Sequence, residues 1–300
     1  MTRTPEDFEP VHASDIQLAQ SRISSEIAPT PLQYCPRLSQ ETGYEVYLKR
    51  EDLQDVRSYK IRGALYGMSN LGEEQRAQGI VTASAGNHAQ GVAYACRTMG
   101  IHGKIYVPQP TPKQKRDRIL VHGGDYVELV VTGANFDEAA AAAHDDAAER
   151  GAFFIEPFDA RDTVIGQGTV AAEIIAQLSS LGKALDTVVV PVGGGGLISG
   201  ITSYLADMAP RTAVVGIEPA GAASLSAAFA AGEPVTLESV DPFVDGAAVK
   251  RIGEFPFKIL EANQGRLHWD IVSEGAVCTE QLALYQNEGI IAEPAGALSV

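Results

Sequence analysis

The sequence predicts an α/β protein built from two open, twisted, mainly parallel sheets, and three observations carry that expectation. Between residues 79 and 155 short apolar runs alternate with helical stretches, the pattern of parallel strands joined by crossover helices. The run TVVVPV at 187–192 is apolar almost throughout, as a strand buried on both faces should be. Two glycine-rich loops, SAGNHAQG at 84–91 and GGGGL at 193–197, each follow an apolar run and open a helical one.

Taken in order, residues 1–14 carry charges and two prolines without apolar periodicity and read as a loose arm. Helical spacing of Ile16, Leu18, Ala19, Ile23 and Ile27 follows, and Pro29 and Pro31 forbid its continuation. A strand is expected at 45–48, just ahead of a basic segment around Lys60. Strands are then predicted at 80–83, 104–107, 126–131 and 152–155, with helices at 87–99, 113–121 and 136–150 between them. The last of these is alanine-rich, with Asp137 and Glu138 near its start and Gly151 at its end, which suits a surface crossover helix. Beyond it come a helix at 163–178, the strand at 187–192, a helix from Leu197 and a strand at 213–217. Residues 255–272 are apolar without a clean period, 279–287 resumes a helix, and 289–296 is rich in turn residues. The expected division is a large cofactor-binding domain of residues 1–78 plus 153–300 and a small domain of 79–152. Residue 300 falls inside what reads as the start of a helix, so the large domain is expected to be incomplete.

Composition narrows the function. Three hundred residues, 45% of them hydrophobic, suffice for two domains. With 23 basic and 38 acidic residues the formal charge is −15, a field that repels nucleic acids and anionic membranes, so neither is expected as a partner. An anionic small molecule would have to be held by backbone N–H groups and helix N-termini. Cys35, Cys96 and Cys278 are odd in number, far apart and in no CxxC pair, which indicates neither a disulfide framework nor a zinc site. No apolar signal region opens the sequence and no apolar run approaches membrane-spanning length, so a soluble, cytoplasmic protein is expected.

The chemistry is expected at Lys60, within SYKIRGA at 58–64. An amine becomes a nucleophile or base near neutral pH when burial or nearby positive charge eases loss of its proton, and Arg57 and Arg62 are candidates for that charge. A lone lysine is usually just a solvated side chain; two anion cradles downstream change its meaning. In the first cradle, Ser84 and Asn87 add side-chain donors and Gly86 lets a ligand approach the main chain, although an N-cap and turn would use the same residues. His88, at a helix start, reads as a structural histidine rather than a base. In the second, Gly193, Gly194, Gly195 and Gly196 present consecutive N–H groups suited to a phosphate. This is no Walker loop, because no Lys-Ser/Thr pair follows. Gly194, Gly196 and Ser199 nearly match a dinucleotide fingerprint with Glu218 at a ribose-binding distance, which makes an NAD-dependent oxidoreductase the second reading. One amine and two anion cradles point instead to a phosphorylated aldehyde cofactor. A non-catalytic amino-acid-binding protein is a third possibility.

The order and separation of SYKIRGA, SAGNHAQG and GGGGL resemble the fold-type II pyridoxal-phosphate enzymes, whose architecture is that of the tryptophan synthase β chain. KREDLQ, PTPKQKRDRI, DTVIGQGT, VVGIEPAGA, VDGAAVKRIG and IIAEPAGALS are similar to biosynthetic threonine dehydratases, from about residue 14 to residue 300. The resemblance implies that Lys60 forms the Schiff base and later takes the Cα proton, that Asn87 bonds the ring hydroxyl, and that Gly193, Gly194, Gly195, Gly196 and Leu197 wrap the phosphate. Ser84, Ala85, Asn87 and His88 would hold the substrate carboxylate. The implied reaction is β-elimination of L-threonine to 2-oxobutanoate and ammonia, the first committed step of isoleucine biosynthesis, with L-serine as a side substrate, in a homo-oligomer. Racemising relatives carry a second serine where this chain has Ala85, which argues for elimination. A cation site would use Glu218 and the backbone near Ala222, but a third acidic ligand is replaced by Ser224, so no metal is expected. The hydroxyl that meets the ring nitrogen in this family would lie beyond Val300, as would an isoleucine-binding regulatory domain; the 300 residues alone are expected to bind cofactor poorly and to lack feedback inhibition.

Overall fold

The computed structural model describes residues 8–300. The chain divides into two compact units, a smaller one of Ser21–Gln33 and Leu48–Pro157 and a larger one of the described residues up to Gln20 with Tyr34–Tyr47 and Phe158–Val300. In chain order the elements begin with α1 (Ala13–Ile23), β1 (Leu32–Tyr34), α2 (Pro36–Thr42) and β2 (Tyr47–Lys49), β1 and β2 forming a two-stranded ladder.

The smaller unit continues with α3 (Lys60–Ser69), α4 (Glu73–Gln78), β3 (Ile80–Ala83), α5 (Asn87–Met99), β4 (Gly103–Val107), α6 (Lys113–Gly123), β5 (Val127–Val131), α7 (Phe136–Arg150) and β6 (Phe153–Phe154). Its sheet has the order β5-β4-β3-β6 with every pairing parallel, as strands separated by crossover helices must be. Central β3 is buried at all four positions, so its apolar run has no polar alternation. Helix α7 starts where the Asn135 side chain accepts the Glu138 N–H and stops at Gly151, whose φ of 68° only glycine adopts freely. Its small face, Ala139, Ala143 and Ala147, is buried, and Ala143 and Ala147 pack on Val81, Ala83 and Tyr106. On another flank α3 lies close to α5, because Gly91 has no Cβ: one there would come within 3.1 Å of the Ile61 nitrogen.

The larger unit contains α8 (Arg161–Ser180), β7 (Thr187–Pro191), α9 (Gly196–Met208), β8 (Ala213–Pro219), α10 (Ser224–Ala231), α11 (Glu254–Ala262), β9 (Leu267–Val272), α12 (Glu274–Glu288) and α13 (Pro294–Ala297). Its sheet is β7-β8-β9, again all parallel. Helices α8 and α9 cross closely at paired glycines, since a Cβ on Gly200 would lie 2.4 Å from the Val164 carbonyl oxygen and 2.6 Å from the Gly168 nitrogen.

The α/β class with parallel sheets is as the sequence predicts. The expected boundaries at residues 78 and 153 differ from the observed division. Residues 48–78 belong to the smaller unit, because α3 buries Ile61 and Leu65 and packs along α5. The unreadable stretch 255–272 holds α11 and β9. Pro256 stands in the first turn of α11, where no intrahelical N–H is required, and β9 is mostly exposed, which breaks the apolar pattern. The helix expected at 279–287 begins five residues earlier, at Glu274, where Ser273 caps it by accepting the Ala276 N–H.

Candidate active site

In the smaller unit Lys60 is the first residue of α3, and its backbone N–H donates to Ser58 Oγ at 3.3 Å. Its half-buried side chain reaches back along the unit, and Nζ donates to the Pro157 carbonyl at 2.9 Å. That carbonyl holds the amine in one place. Of the two arginines expected to ease proton loss from Lys60, Arg62 is 1% exposed and forms a two-pronged pair with Glu51, Nε and Nη2 each at 2.8 Å. Its charge is therefore matched by Glu51 and its role is structural. Arg57 is exposed and has a φ of 58°, the one non-glycine residue with positive φ among those described.

The loop between β3 and α5 contains Ser84, Ala85 and Gly86, and Asn87 and His88 open the helix. Ser84 N–H donates to the Tyr106 carbonyl at 3.1 Å, and Gly86 N–H donates to Ser84 Oγ at 3.2 Å, which curls the loop over the end of the strand. No side chain caps α5, whose start presents the positive end of the helix dipole. Asn87 is half-buried at this end.

The His88 ring points into the unit, 3% exposed, with Nε2 at 3.1 Å from both Thr82 Oγ1 and the Ile155 carbonyl. Thr82 Oγ1 donates its only hydrogen to that same carbonyl at 2.9 Å, so both neighbours of Nε2 act as acceptors and Nε2 carries the proton. Burial first, then the Lys60 charge, pushes the imidazole pKa down to about 3. His88 is thus a neutral histidine whose ring is committed to the sheet.

In the larger unit the tetraglycine loop joins β7 to α9. Val192 N–H donates to the Ile217 carbonyl at 2.8 Å, Gly195 adopts a φ of 88°, and α9 has no side-chain cap. A Cβ at any of the four glycines would crowd a neighbour. A Cβ on Gly193 would meet Ala247 Cα at 3.0 Å, one on Gly194 would lie 2.3 Å from the Phe158 ring, one on Gly195 would meet Pro256 at 2.9 Å, and one on Gly196 would meet Phe158 at 3.2 Å. The loop is a bare-backbone turn feeding into a thirteen-residue helix buried from Gly196 to Leu205, the kind of helix start that suits an anion.

Glu218, the residue a dinucleotide would need for its ribose, is fully buried and already engaged. Its carboxylate accepts the Leu225 N–H at 2.6 Å, the Ser226 N–H at 2.9 Å and the Ser226 hydroxyl at 2.6 Å, which caps α10. Burial raises its pKa against the pull of those donors. Among the described residues no group of three or more His, Cys, Asp or Glu is placed to hold a metal ion.

The smaller unit holds a lysine at the head of a helix and an uncapped helix start behind a Ser-Ala-Gly-Asn loop, and the larger unit holds a glycine cradle at a second helix start. Residues 23–300 match the family described as pyridoxal-phosphate-dependent enzyme, and the chain belongs to it, with the α/β fold of its fold-type II members. Within that family the chain is 72% identical over 290 residues to L-threonine dehydratase biosynthetic IlvA of Corynebacterium glutamicum, an alignment covering 97% of this chain and 66% of that protein. The Bacillus subtilis protein of the same name is 45% identical over 97% of this chain and 68% of its own length. Among solved structures, the processed form of threonine deaminase isoform 2 from Solanum lycopersicum superposes with a TM-score of 0.86 at 35% identity, covering 100% of this chain and 88% of that one. The chain thus spans about two thirds of the length of the curated relatives it matches.

Sequence reasoning missed two participants, Phe158 beneath the glycines and Asp159 beside it. The signal available was the phrase EPFDA at 156–160, which immediately precedes α8.

Proposed function

We propose that this chain carries out the pyridoxal-phosphate-dependent dehydration and deamination of L-threonine to 2-oxobutanoate and ammonia, with L-serine as a secondary substrate. The observation that carries the reading is the 72% identity to a biosynthetic threonine dehydratase across 97% of the chain. When bound, the pyridoxal ring supplies an electron sink for the substrate Cα. Lys60 Nζ is assigned to attach the cofactor and, once released as a neutral amine, to remove the Cα proton and become an ammonium that donates to the Pro157 carbonyl, 2.9 Å from Nζ. Asn87 is assigned to the ring hydroxyl. The first-turn amides of α9 with Gly193, Gly194, Gly195, Gly196 and Leu197 are assigned to the phosphate. Ser84, Ala85, Asn87 and the His88 backbone N–H are assigned to the substrate carboxylate, which the uncapped start of α5 favours electrostatically. Ala85 has no hydroxyl with which to return a proton to the opposite face of Cα, which supports elimination rather than racemisation.

A dinucleotide-dependent oxidoreductase is disfavoured because both Glu218 oxygens are engaged by the start of α10. Isoleucine biosynthesis, a cytoplasmic location and a homo-oligomer complete the proposal; the free cysteines support a reducing compartment, and the assembly rests on the family resemblance.

Reduction with borohydride, followed by peptide mass mapping, should place the cofactor on Lys60. Lys60→Ala should abolish the trapped adduct and lower 2-oxobutanoate release by at least about 10²-fold. An adduct on another lysine, or a fully active Lys60→Ala protein, would overturn the assignment.

A further inference from the structure

Helix α11 lacks a cap of its own: its N-cap is Gly253, which has no side chain to offer. The cap arrives from 95 residues earlier in the chain. Asp159 Oδ2 accepts the Glu254 N–H at 3.0 Å and Oδ1 accepts the Phe255 N–H at 2.8 Å, so one carboxylate satisfies two orphan donors and sits at the positive end of the helix. This approach requires Gly253, since a Cβ there would lie 2.8 Å from the Asp159 carboxyl carbon.

Both ends of that contact touch the tetraglycine loop. Gly253 N–H donates to the Gly194 carbonyl at 3.1 Å, and Phe158, the neighbour of Asp159, carries the ring that faces Gly194 and the Cβ that faces Gly196. Ser199 Oγ, in the first turn of α9, donates to the Pro256 carbonyl at 3.1 Å and ties the two helix starts together a second time. The result is a closed circuit: Gly194 to Phe158, along the chain to Asp159, across to the start of α11, and back through Gly253 to Gly194.

We infer that Asp159 is a positioning residue for the phosphate cradle: by capping α11 it fixes Gly253 and Phe158 on either side of Gly194, and so holds the loop amides in place before a ligand arrives. The inference rests on the proposed role of the loop. A loop of four glycines is entropically costly to order, and an external brace lets that cost fall on folding instead of on binding. Asp159 touches no ligand in this role and acts only through the main chain of the loop.

The test uses deoxypyridoxine phosphate, which lacks the aldehyde and cannot be attached by Lys60, so its affinity reads the cradle and not the lysine. Titration calorimetry on the apoprotein should show Asp159→Ala weakening binding about tenfold, and Asp159→Asn, which keeps the shape and one acceptor, about threefold. The control is Ser273→Ala, which removes the cap of α12 in the same unit, away from the loop. It should lower the melting temperature comparably yet leave affinity within about twofold. Equal affinity losses in Asp159→Ala and Ser273→Ala, or unchanged affinity in both Asp159 variants, would overturn the positioning role while leaving the cradle assignment standing. Failure of the unaltered protein to bind the probe at all would overturn the cradle assignment itself. If Asp159→Ala does not fold, the Asn variant against Ser273→Ala decides.

Discussion

A histidine beside a candidate catalytic lysine invites assignment as its base, yet the hydrogen bonds of His88 give it a different job. Its one proton is held between Thr82 and the Ile155 carbonyl, and protonating the second nitrogen would put a charge into a fully enclosed space next to Lys60. With its folded pKa lowered from 6.5 to about 3, the group stays neutral in the folded state across the pH range in which the unfolded chain takes up a proton. The linkage therefore runs against stability as pH falls: nothing is lost above pH 6.5, and the loss grows from there toward pH 3. Between pH 7.5 and 5 it should reach about 2 kcal/mol, at roughly 1.4 kcal/mol for each pH unit below the unfolded value. Urea unfolding of the unaltered protein and His88→Asn at those two pH values should show the acid sensitivity in the former reduced by that amount in the latter. Equal pH dependence would mean that His88 titrates normally in the folded chain.

At the scale of elements, both uncapped helix starts follow parallel strands, and this is why the strand–loop–helix junctions of the candidate site are legible in the sequence. Glycine-rich loops after apolar runs announce a strand–loop–helix junction, and Lys60 sits in a motif whose neighbours recur in order. What was illegible depends on contacts distant in sequence or on side-chain direction. Asp159 meets α11 across 95 residues, the His88 ring turns inward from a helix that could equally have presented it outward, and Pro256 disguises the helix it begins. Arg62 illustrates the same limit, since its sequence position beside Lys60 suggested electrostatic assistance while its guanidinium belongs to Glu51. That pair, with Thr30 also donating to Glu51, anchors the start of α3. Glu51→Ala would leave a guanidinium that is 1% exposed without its carboxylate and should cost about 3–5 kcal/mol in urea unfolding, against about 1 kcal/mol for Thr30→Val. A small effect of Glu51→Ala would show that water or another acceptor replaces the carboxylate, and that α3 is held by its packing on α5 alone.

For the whole molecule the sign of the net charge opposes the sign its ligands would need. The chain carries 15 more acidic than basic residues, yet its assigned ligands are a phosphate and a carboxylate. Both candidate cradles are assigned to the backbone dipoles at the starts of α5 and α9, whose fields fade within a turn of the helix end. Beyond that range an approaching anion meets the net negative field, which is repulsive and screened by salt. Capture and retention should therefore respond differently to ionic strength. Raising salt from about 0.01 M to about 0.15 M shortens the screening length from about 30 Å to about 8 Å, which should speed association of deoxypyridoxine phosphate by a factor of about two to ten and leave its dissociation rate nearly unchanged. Stopped-flow fluorescence at several salt concentrations separates the two rates. Association that slows with salt would show instead that a cationic patch steers the ligand, and that the backbone cradles are not the dominant attraction at a distance.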